Sequence, residues 1–533
     1  MTTSSPSGGT SAAARFDRLV ERAPLWGIGV TPSELAEVPV HRWFQLNNSF
    51  SPSLVDGLLD ELLGRFPSWR GRTVLDPFCG AGTTLVASRL RGLSPVGVDL
   101  SPLAVLASKV KTATLDPDGM ATALDLVRGG GGTGCDPADG VECERVMSPE
   151  VLAEALRLLG LSRSRDLSEG AGAALCLALL AEVSAASLLP RRGGFRKWAP
   201  AVPENQDPLY LREAVVTRIE LMIEDLRHIS PEASAKRALV LRGDARTLRL
   251  ESGSVDVIVT SPPAPNRQDP TRAYGLELAL AFCSHDETET LRRQSLRSYP
   301  EADPPRLPAP VIVAKAPTLA RRTATAIAAA SGKRAEMRLV PRMLIGWSAD
   351  IGTALAEMAR VLSPDSGVAV VCRNYSYAGV EFESDRIVAE LMESSGIRVD
   401  RIAVARMRRP SHQQIMRHRT GMRESVVIGT KRTRRRPTRR PSSVVRRYEP
   451  QPAVLVGQIW ADDDPRSRRR RVLVVAVDTT HATVETIVTV DGQSLHEETR
   501  RPRSRVLLKR FHPVNYAYLL YQDVLWSLLE VPD

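Results

Sequence analysis

Residues 73–93 read TVLDPFCGAGTTLVASRLRGL: a short apolar run ending in acid, a turn carrying Gly80 and Gly82, and a helix opened by Thr83 and Thr84. The pattern predicts a strand, a glycine loop and a helix. Glycine lets the backbone turn tightly and approach a ligand closely. The first amides of the helix are unpaired donors, so the loop favours a carboxylate or phosphate. Asp76, at the strand tip, is suited to accept hydrogen bonds from an ammonium group. Such turns also use glycine for purely steric reasons, and alone the loop is weak evidence. It gains force from PVGVDLSP, whose strand ends at Asp99, 23 residues after Asp76. An acid there suits the two hydroxyls of a ribose. Together the two stretches describe a nucleoside pocket.

Around this pocket, short apolar runs alternate with amphipathic stretches, as in a doubly wound α/β sheet. Seven strands are expected, at 73–76, 95–99, 238–242, 255–260, 367–372, 401–406 and 424–429. A mostly helical insertion, 113–235, contains a glycine-rich run at 129–134, and a second stretch, 284–335, reads as irregular and rich in proline and arginine. Both are expected to decorate the sheet, and both are natural places for target recognition.

Two ligands compete for the pocket. A hydride-transfer domain writes the longer GxGxxG, whereas here Gly82 is followed by Thr83, Thr84 and Leu85, so a methionine-bearing nucleoside fits better than a dinucleotide. The stretch resembles the DNA amino-methyltransferases, whose cofactor loop runs DPFxGxGTT; Asp76 to Thr84 match it, with Cys79 and Ala81 at the free positions. The resemblance implies a Rossmann-like fold and S-adenosylmethionine as cofactor. Asp76, Phe78, Gly80, Gly82, Thr83 and Thr84 would hold its methionine end, Asp99 its ribose, and Asp244 of LRGDART would sit beside its adenine. Upstream, HRWFQLNNSFSPSLVDGLL carries Phe50, Ser51 and Pro52, which look like the segment that closes over the cofactor.

The stretch VDVIVTSPPAPNRQDPTRAYGLEL, 255–278, runs a strand into Ser261, Pro262 and Pro263. An exocyclic amine on an aromatic base is a poor nucleophile, because its lone pair is delocalised into the ring. Two acceptors against its hydrogens favour a pyramidal nitrogen that attacks a sulfonium methyl directly. The Ser261 hydroxyl and the Pro262 carbonyl are candidates for those acceptors, with the prolines fixing the loop. Methylation of a cytosine ring carbon needs a thiolate instead, and no Pro-Cys dipeptide occurs in the chain. Ser at the first position resembles the cytosine-amino branch more than the adenine branch. The sequence departs from the family directly after the prolines, where an aromatic residue that stacks on the extruded base is replaced by Ala264, and Gln268 and Pro270 stand where tyrosines are common. Tyr274 and Trp347 are candidate substitutes. The resemblance resumes from Arg342 through SHQQ to RESVVIG and covers most of 38–430.

Charge and composition set the remaining bounds. The net charge is +11, and nine basic residues with no acid lie between Lys431 and Arg447, leaving +2 for the rest. This reads as an extended linker, 431–449, suited to phosphate contacts. Beyond it, 450–533 alternates apolar and polar residues like a small antiparallel barrel, here expected to carry a C-terminal helix. Its Gly457–Arg466 opening, GQIWADDDPR, resembles a small actinobacterial β-barrel module. Residues 1–25 read as a disordered leader without a secretory signal. The longest apolar run, Ala171–Ala181, is too short to span a membrane. Six scattered cysteines, without metal spacing, suggest free thiols and no metal. His412 and His418 read as solvated, and Asp462–Asp464 as a turn rather than a calcium site.

The expected protein is therefore a soluble, cytoplasmic, site-specific DNA methyltransferase, cytosine-N4-specific or adenine-specific. Its partners would be DNA and, in a restriction-modification or phage-defence setting, a nuclease. Two readings compete: a cofactor-binding protein that recognises DNA without methylating it, and an enzyme that methylates RNA or another amine.

Overall fold

The computed structural model describes residues 16–431 except 28, 48, 65–71, 193–194, 197–206, 230–236, 303–316, 333, 335–336 and 409–420. Beyond them it describes the backbone of 459–462, 471–477, 481–488, 503–507 and 526–530. The described residues fall into two compact units, one reaching through Lys431 and the other holding the strands beyond it.

Among the described residues of the first unit, eight strands form one sheet. They are β1 (Val20–Arg22), β2 (Thr73–Asp76), β3 (Ser94–Asp99), β4 (Leu239–Arg242), β5 (Val255–Thr260), β6 (Leu362–Arg373), β7 (Ile397–Arg408) and β8 (Met422–Lys431). Their order is β1-β7-β8-β6-β5-β2-β3-β4. Only β8 runs antiparallel to its neighbours, β6 and β7; the other pairs are parallel.

Seven of these strands are the expected ones. The eighth, β1, corrects the reading of a leader for its residues 20–22. Its residues, VER, carry no apolar pattern, and they are held at the sheet edge by pairing Val20 with Ile402 and Arg22 with Val404. β6 begins five residues before its expected start because Ser363–Ser366 form an excursion: Val255 pairs with Leu362 and Val257 with Gly367. Such bulges hide behind turn-forming residues, here Pro364 and Asp365, the latter at φ 61°.

The central strands are apolar on both faces, as a covered parallel sheet requires. Val74, Val257 and Val259 pack with Leu54, Leu58 and Leu62 of the helix Pro52–Leu63. Leu75, Ile258 and Val255 pack on the opposite side with Leu344, Trp347 and Ile351 of the helix Val340–Val361.

Among the described residues the insertion at 113–235 is mostly helical, as expected, with one short strand pair at Arg191–Arg192 and Phe195–Arg196. Pro117–Arg128, Gly140–Val146, Pro149–Ser162, Glu169–Glu182 and Pro208–Arg227 share one apolar core with Val40, Trp43 and Leu103. Its glycine-rich run crosses Pro149–Ser162 so closely that a Cβ on Gly160 would lie 2.0 Å from the Thr133 carbonyl oxygen. Asp225, fully buried, accepts from the Val40 amide at 2.7 Å, the Arg42 guanidinium and Trp43 Nε1 at 2.8 Å. The insertion therefore anchors the segment that leads to Phe50, a structural task beyond decoration. The stretch 284–335 is not irregular throughout: His285–Gln294 and Thr318–Ser331 are helices, the first opened by a Ser284–Glu287 capping box.

In the second unit the described strands form an antiparallel sheet in the order Arg503–Leu507, His481–Val488, Arg471–Val477, Ile459–Asp462, Trp526–Glu530. The sheet is open among the described residues, and Trp526–Glu530 forms one of its edge strands. Residues 508–525, the linker 432–449, the SHQQ segment, His412 and His418 lie outside the described residues. Among the described residues no helix is long and apolar enough to cross a membrane.

Candidate active site

Three strand ends meet where the sheet order reverses. The chain runs outward from β2 through β3 to β4, then returns to set β5 on the other side of β2. Doubly wound sheets bind ligands in the crevice this reversal opens. A cavity of about 260 Å³ lies there, with Phe50, Asp76, Phe78, Gly80, Thr83 and Asp99 in its wall together with Ser261, Pro262 and Pro263. Nine of the thirteen expected site residues are thus brought together.

The other four support the wall from behind. The Ser51 hydroxyl donates to the Thr31 carbonyl at 2.6 Å and its amide to Gly29 at 2.8 Å, which fixes the turn before the Pro52–Leu63 helix. Gly82 has φ 85°, and a Cβ there would lie 3.0 Å from Ser108 Oγ and 3.2 Å from its Cα. Glycine at 82 is required by its left-handed backbone and by close packing against the helix Pro102–Thr112. The Thr84 hydroxyl donates to the Val259 carbonyl at 3.3 Å and so bolts the loop helix to β5. Asp244, expected beside an adenine, turns its carboxylate onto Arg246, at 3.0 and 3.1 Å from Nε and 2.7 Å from Nη2. Its neighbours Gly243 and Ala245 reach the cavity instead.

The acidic pair sets the electrostatics. Asp76 Oδ1 accepts from Thr260 Oγ1 at 2.6 Å and from the Phe78 amide at 3.1 Å. Burial outweighs these bonds and pushes its pKa up to about 6, with the nearby Asp99 charge adding to the rise. Asp99 accepts from the Ser101 amide at 2.9 Å and the Gly80 amide at 3.0 Å, and burial raises its pKa too. Two desolvated carboxylates at neighbouring strand tips favour a cationic ligand that also offers hydrogen-bond donors. Cys79 and Cys372 also line the cavity, and burial raises both thiols well above their usual range. Neither is held as the thiolate that nucleophilic catalysis needs.

The SPP loop is clamped carbonyl by carbonyl. Trp347 Nε1 donates to the Pro263 carbonyl at 2.7 Å, Tyr377 Oη to that of Pro265, and the Asn266 amide to that of Ala264 at 2.7 Å. Among the described residues none donates to the Pro262 carbonyl. Ser261 Oγ is only loosely engaged, at 3.4 Å from the Val371 carbonyl. Trp347, named from sequence as a substitute stacking surface, is 2% exposed, and its ring is already packed edge-on against Phe382. Tyr274, the other candidate, lines the cavity and accepts from the Asn47 amide at 2.7 Å. The segment covering this side is held further by Lys111, whose ammonium donates to the His41 and Phe44 carbonyls. Burial pulls the Lys111 pKa down to about 7, and the Arg218 charge adds to the fall. Tyr377 was missed from sequence, since no local signal links it to a carbonyl 112 residues away.

No family model matches the chain. It is 24% identical over 395 residues to the type II methyltransferase M.AvaI of Nostoc, covering 69% of this chain and 80% of that protein. To the type II methyltransferase M.BsoBI of Geobacillus stearothermophilus it is 21% identical over 439 residues, covering 74% and 86%. A solved rRNA methyltransferase, aviRa of Streptomyces viridochromogenes, matches at a TM-score of 0.28 and 13% identity, covering 75% of this chain and 92% of that one.

Proposed function

We propose that the chain is an S-adenosylmethionine-dependent methyltransferase acting on an exocyclic amino group of a DNA base, with cytosine N4 the leading acceptor. The observation that carries this reading is the clamped SPP loop. Its flanking carbonyls are occupied by Trp347 and Tyr377, while the Pro262 carbonyl is unclaimed among the described residues, beside the loosely engaged Ser261 hydroxyl. These are the two acceptors an amino group needs. They follow Thr260, whose hydroxyl holds Asp76, so the acceptor and cofactor subsites adjoin.

The cavity chemistry fits S-adenosylmethionine: carboxylates at Asp76 and Asp99 for ammonium and ribose, and apolar walls from Phe50, Phe78, Leu100 and Leu103. When bound, this cofactor supplies a methyl group on a sulfonium. Ser261 and Pro262 orient the amine and localise its lone pair, and the Trp347 and Tyr377 clamps keep them from drifting. The buried Cys79 and Cys372 thiols weigh against a ring-carbon acceptor. The names of the curated relatives support methyl transfer. DNA as substrate, a restriction-modification or phage-defence setting and a partner nuclease rest on the motif resemblance. Accessory docking on nucleic acid is assigned to the basic linker and the C-terminal unit.

Single-molecule sequencing of a host genome with and without the gene tests the acceptor. Methylated cytosine N4 at a recurring site, present only with the gene, is expected. Modified adenine would move the assignment to the other branch, and an unmodified genome would remove DNA as substrate.

Ala264 favours a second form of the same reading, an enzyme weakened in base binding. The residue is half-buried against the core that contains Trp347. Base–aromatic stacking is worth ~1 to 3 kcal/mol, so Ala264→Tyr is expected to tighten base binding by about tenfold to a hundredfold and to raise activity. Fluorescence titration with DNA and initial rates check it together. Loss of a substantial wild-type activity in Ala264→Tyr would mean that the pocket takes a different acceptor.

A further inference from the structure

Some buried side-chain atoms have no hydrogen-bond partner among the described residues, and of these only Ser384 Oγ belongs to a residue that lines the central cavity. Ser384 is 1% exposed. Leaving a buried hydroxyl unsatisfied is unfavourable. Ser376 Oγ and Arg386 Nε nearby are likewise unpartnered but do not line the cavity, while several groups beside Ser384 are paired. The Asp385 amide donates to Asn374 Oδ1 at 3.2 Å, and Asn374 Nδ2 donates to Glu381 at 3.1 Å. The Asp385 carboxylate accepts from Arg423 Nε and from Ser425 Oγ, both at 2.9 Å. These bonds tie the start of the helix Ser384–Ser394 to the carboxyl end of β6 and the adjoining amino end of the antiparallel β8.

That location lies on the acceptor side of the cavity. β6 neighbours β5 on the flank away from β2 and β3, which carry Asp76 and Asp99. Ser261 reaches the same strand end through the Val371 carbonyl, and the next two residues, Cys372 and Arg373, line the cavity with Ser384. Both exocyclic-amino bases present a ring nitrogen, an acceptor, directly beside the amino group. Ser261 and Pro262 supply acceptors for the amine, so the complementary need is a donor for that ring nitrogen, and a serine hydroxyl provides one.

We propose that Ser384 is a binding residue for the acceptor base, its hydroxyl donating to the ring nitrogen adjacent to the amino group. The assignment rests on the methyltransferase reading above. Ser384→Ala is therefore expected to lower kcat/KM for DNA methylation by tenfold or more, with S-adenosylmethionine affinity by calorimetry within twofold of wild type. Removing an unsatisfied hydroxyl should leave the melting temperature of the ligand-free protein unchanged or raised. Methylation within twofold of wild type overturns the contact. So does a lowered melting temperature with activity and cofactor affinity falling together, which marks a structural role. Failure of the wild type to methylate any nucleic acid ends the methyltransferase reading itself. In that event, protein saturated with S-adenosylhomocysteine is titrated with deoxycytidine and deoxyadenosine. A fivefold or greater loss of nucleoside affinity in Ser384→Ala upholds the contact, and equal affinity or no binding to either nucleoside overturns it.

Discussion

Asp76→Ala is expected to lose most S-adenosylmethionine binding, with the dissociation constant rising by about tenfold to a hundredfold or more. Hydrogen bonds to a charged group contribute ~1.5 to 3 kcal/mol, and the Asp76 carboxylate is assigned to the cofactor's ammonium. Calorimetry at pH 7.5 measures the change, with circular dichroism to verify the fold. The same residue gives the binding a pH dependence. Its pKa is raised to about 6 in the folded, ligand-free protein, so the carboxylate is mostly charged at pH 7.5 and mostly protonated at pH 5. Affinity should therefore fall as pH drops through 6, by roughly tenfold at pH 5, because an acid one unit above the ambient pH is about one-tenth ionised. Stability of the free protein moves the other way. A carboxyl whose folded pKa is raised binds its proton more tightly when folded, so its contribution is lost as pH rises from about 4 to 6. Asp76→Asn should flatten both profiles. Full cofactor affinity in Asp76→Ala would remove the carboxylate from the site.

Ser261→Ala is expected to cut the rate of methyl transfer by about tenfold to a hundredfold while leaving cofactor affinity within twofold. The hydroxyl, proposed above as an acceptor for the base amine, has only a 3.4 Å contact of its own to lose, so its removal costs the folded protein little. An interaction made mainly in the transition state lowers kcat and kcat/KM together, and single-turnover kinetics on DNA with saturating cofactor separates that outcome from weaker DNA binding. A parallel loss of cofactor affinity would show that Ser261 shapes the cofactor subsite instead.

The sheet was legible because its strands are local apolar runs and because both motif strands run into residues whose chemistry is plain, Asp76 at the tip of β2 and Ser261 directly after β5. β1 was not legible, since VER takes its conformation from backbone pairing with β7 and carries no pattern of its own. The helix His285–Gln294 had a readable capping box in Ser284 and Glu287, obscured by the proline-rich residues that follow. Of the site, the residues that touch the cavity through the glycine loop were readable from spacing. The Asp244 carboxylate is paired with Arg246, two residues away, an ion pair that the motif spacing does not announce. The clamp from Trp347 to Pro263 joins residues 84 apart. Only the packing of Val340–Val361 against the sheet brings them together, and no one-dimensional pattern encodes that.

The most direct test incubates the purified full-length protein with methyl-labelled S-adenosylmethionine and DNA, then digests the DNA and identifies the labelled nucleoside by mass spectrometry. Label on an exocyclic amino group, as N4-methylcytosine from the leading acceptor, is the expected result. Label on the cytosine ring carbon, or none over a broad set of DNA sequences with cofactor binding verified, would contradict the assignment of Ser261 and Pro262 as the acceptors that activate a base amine.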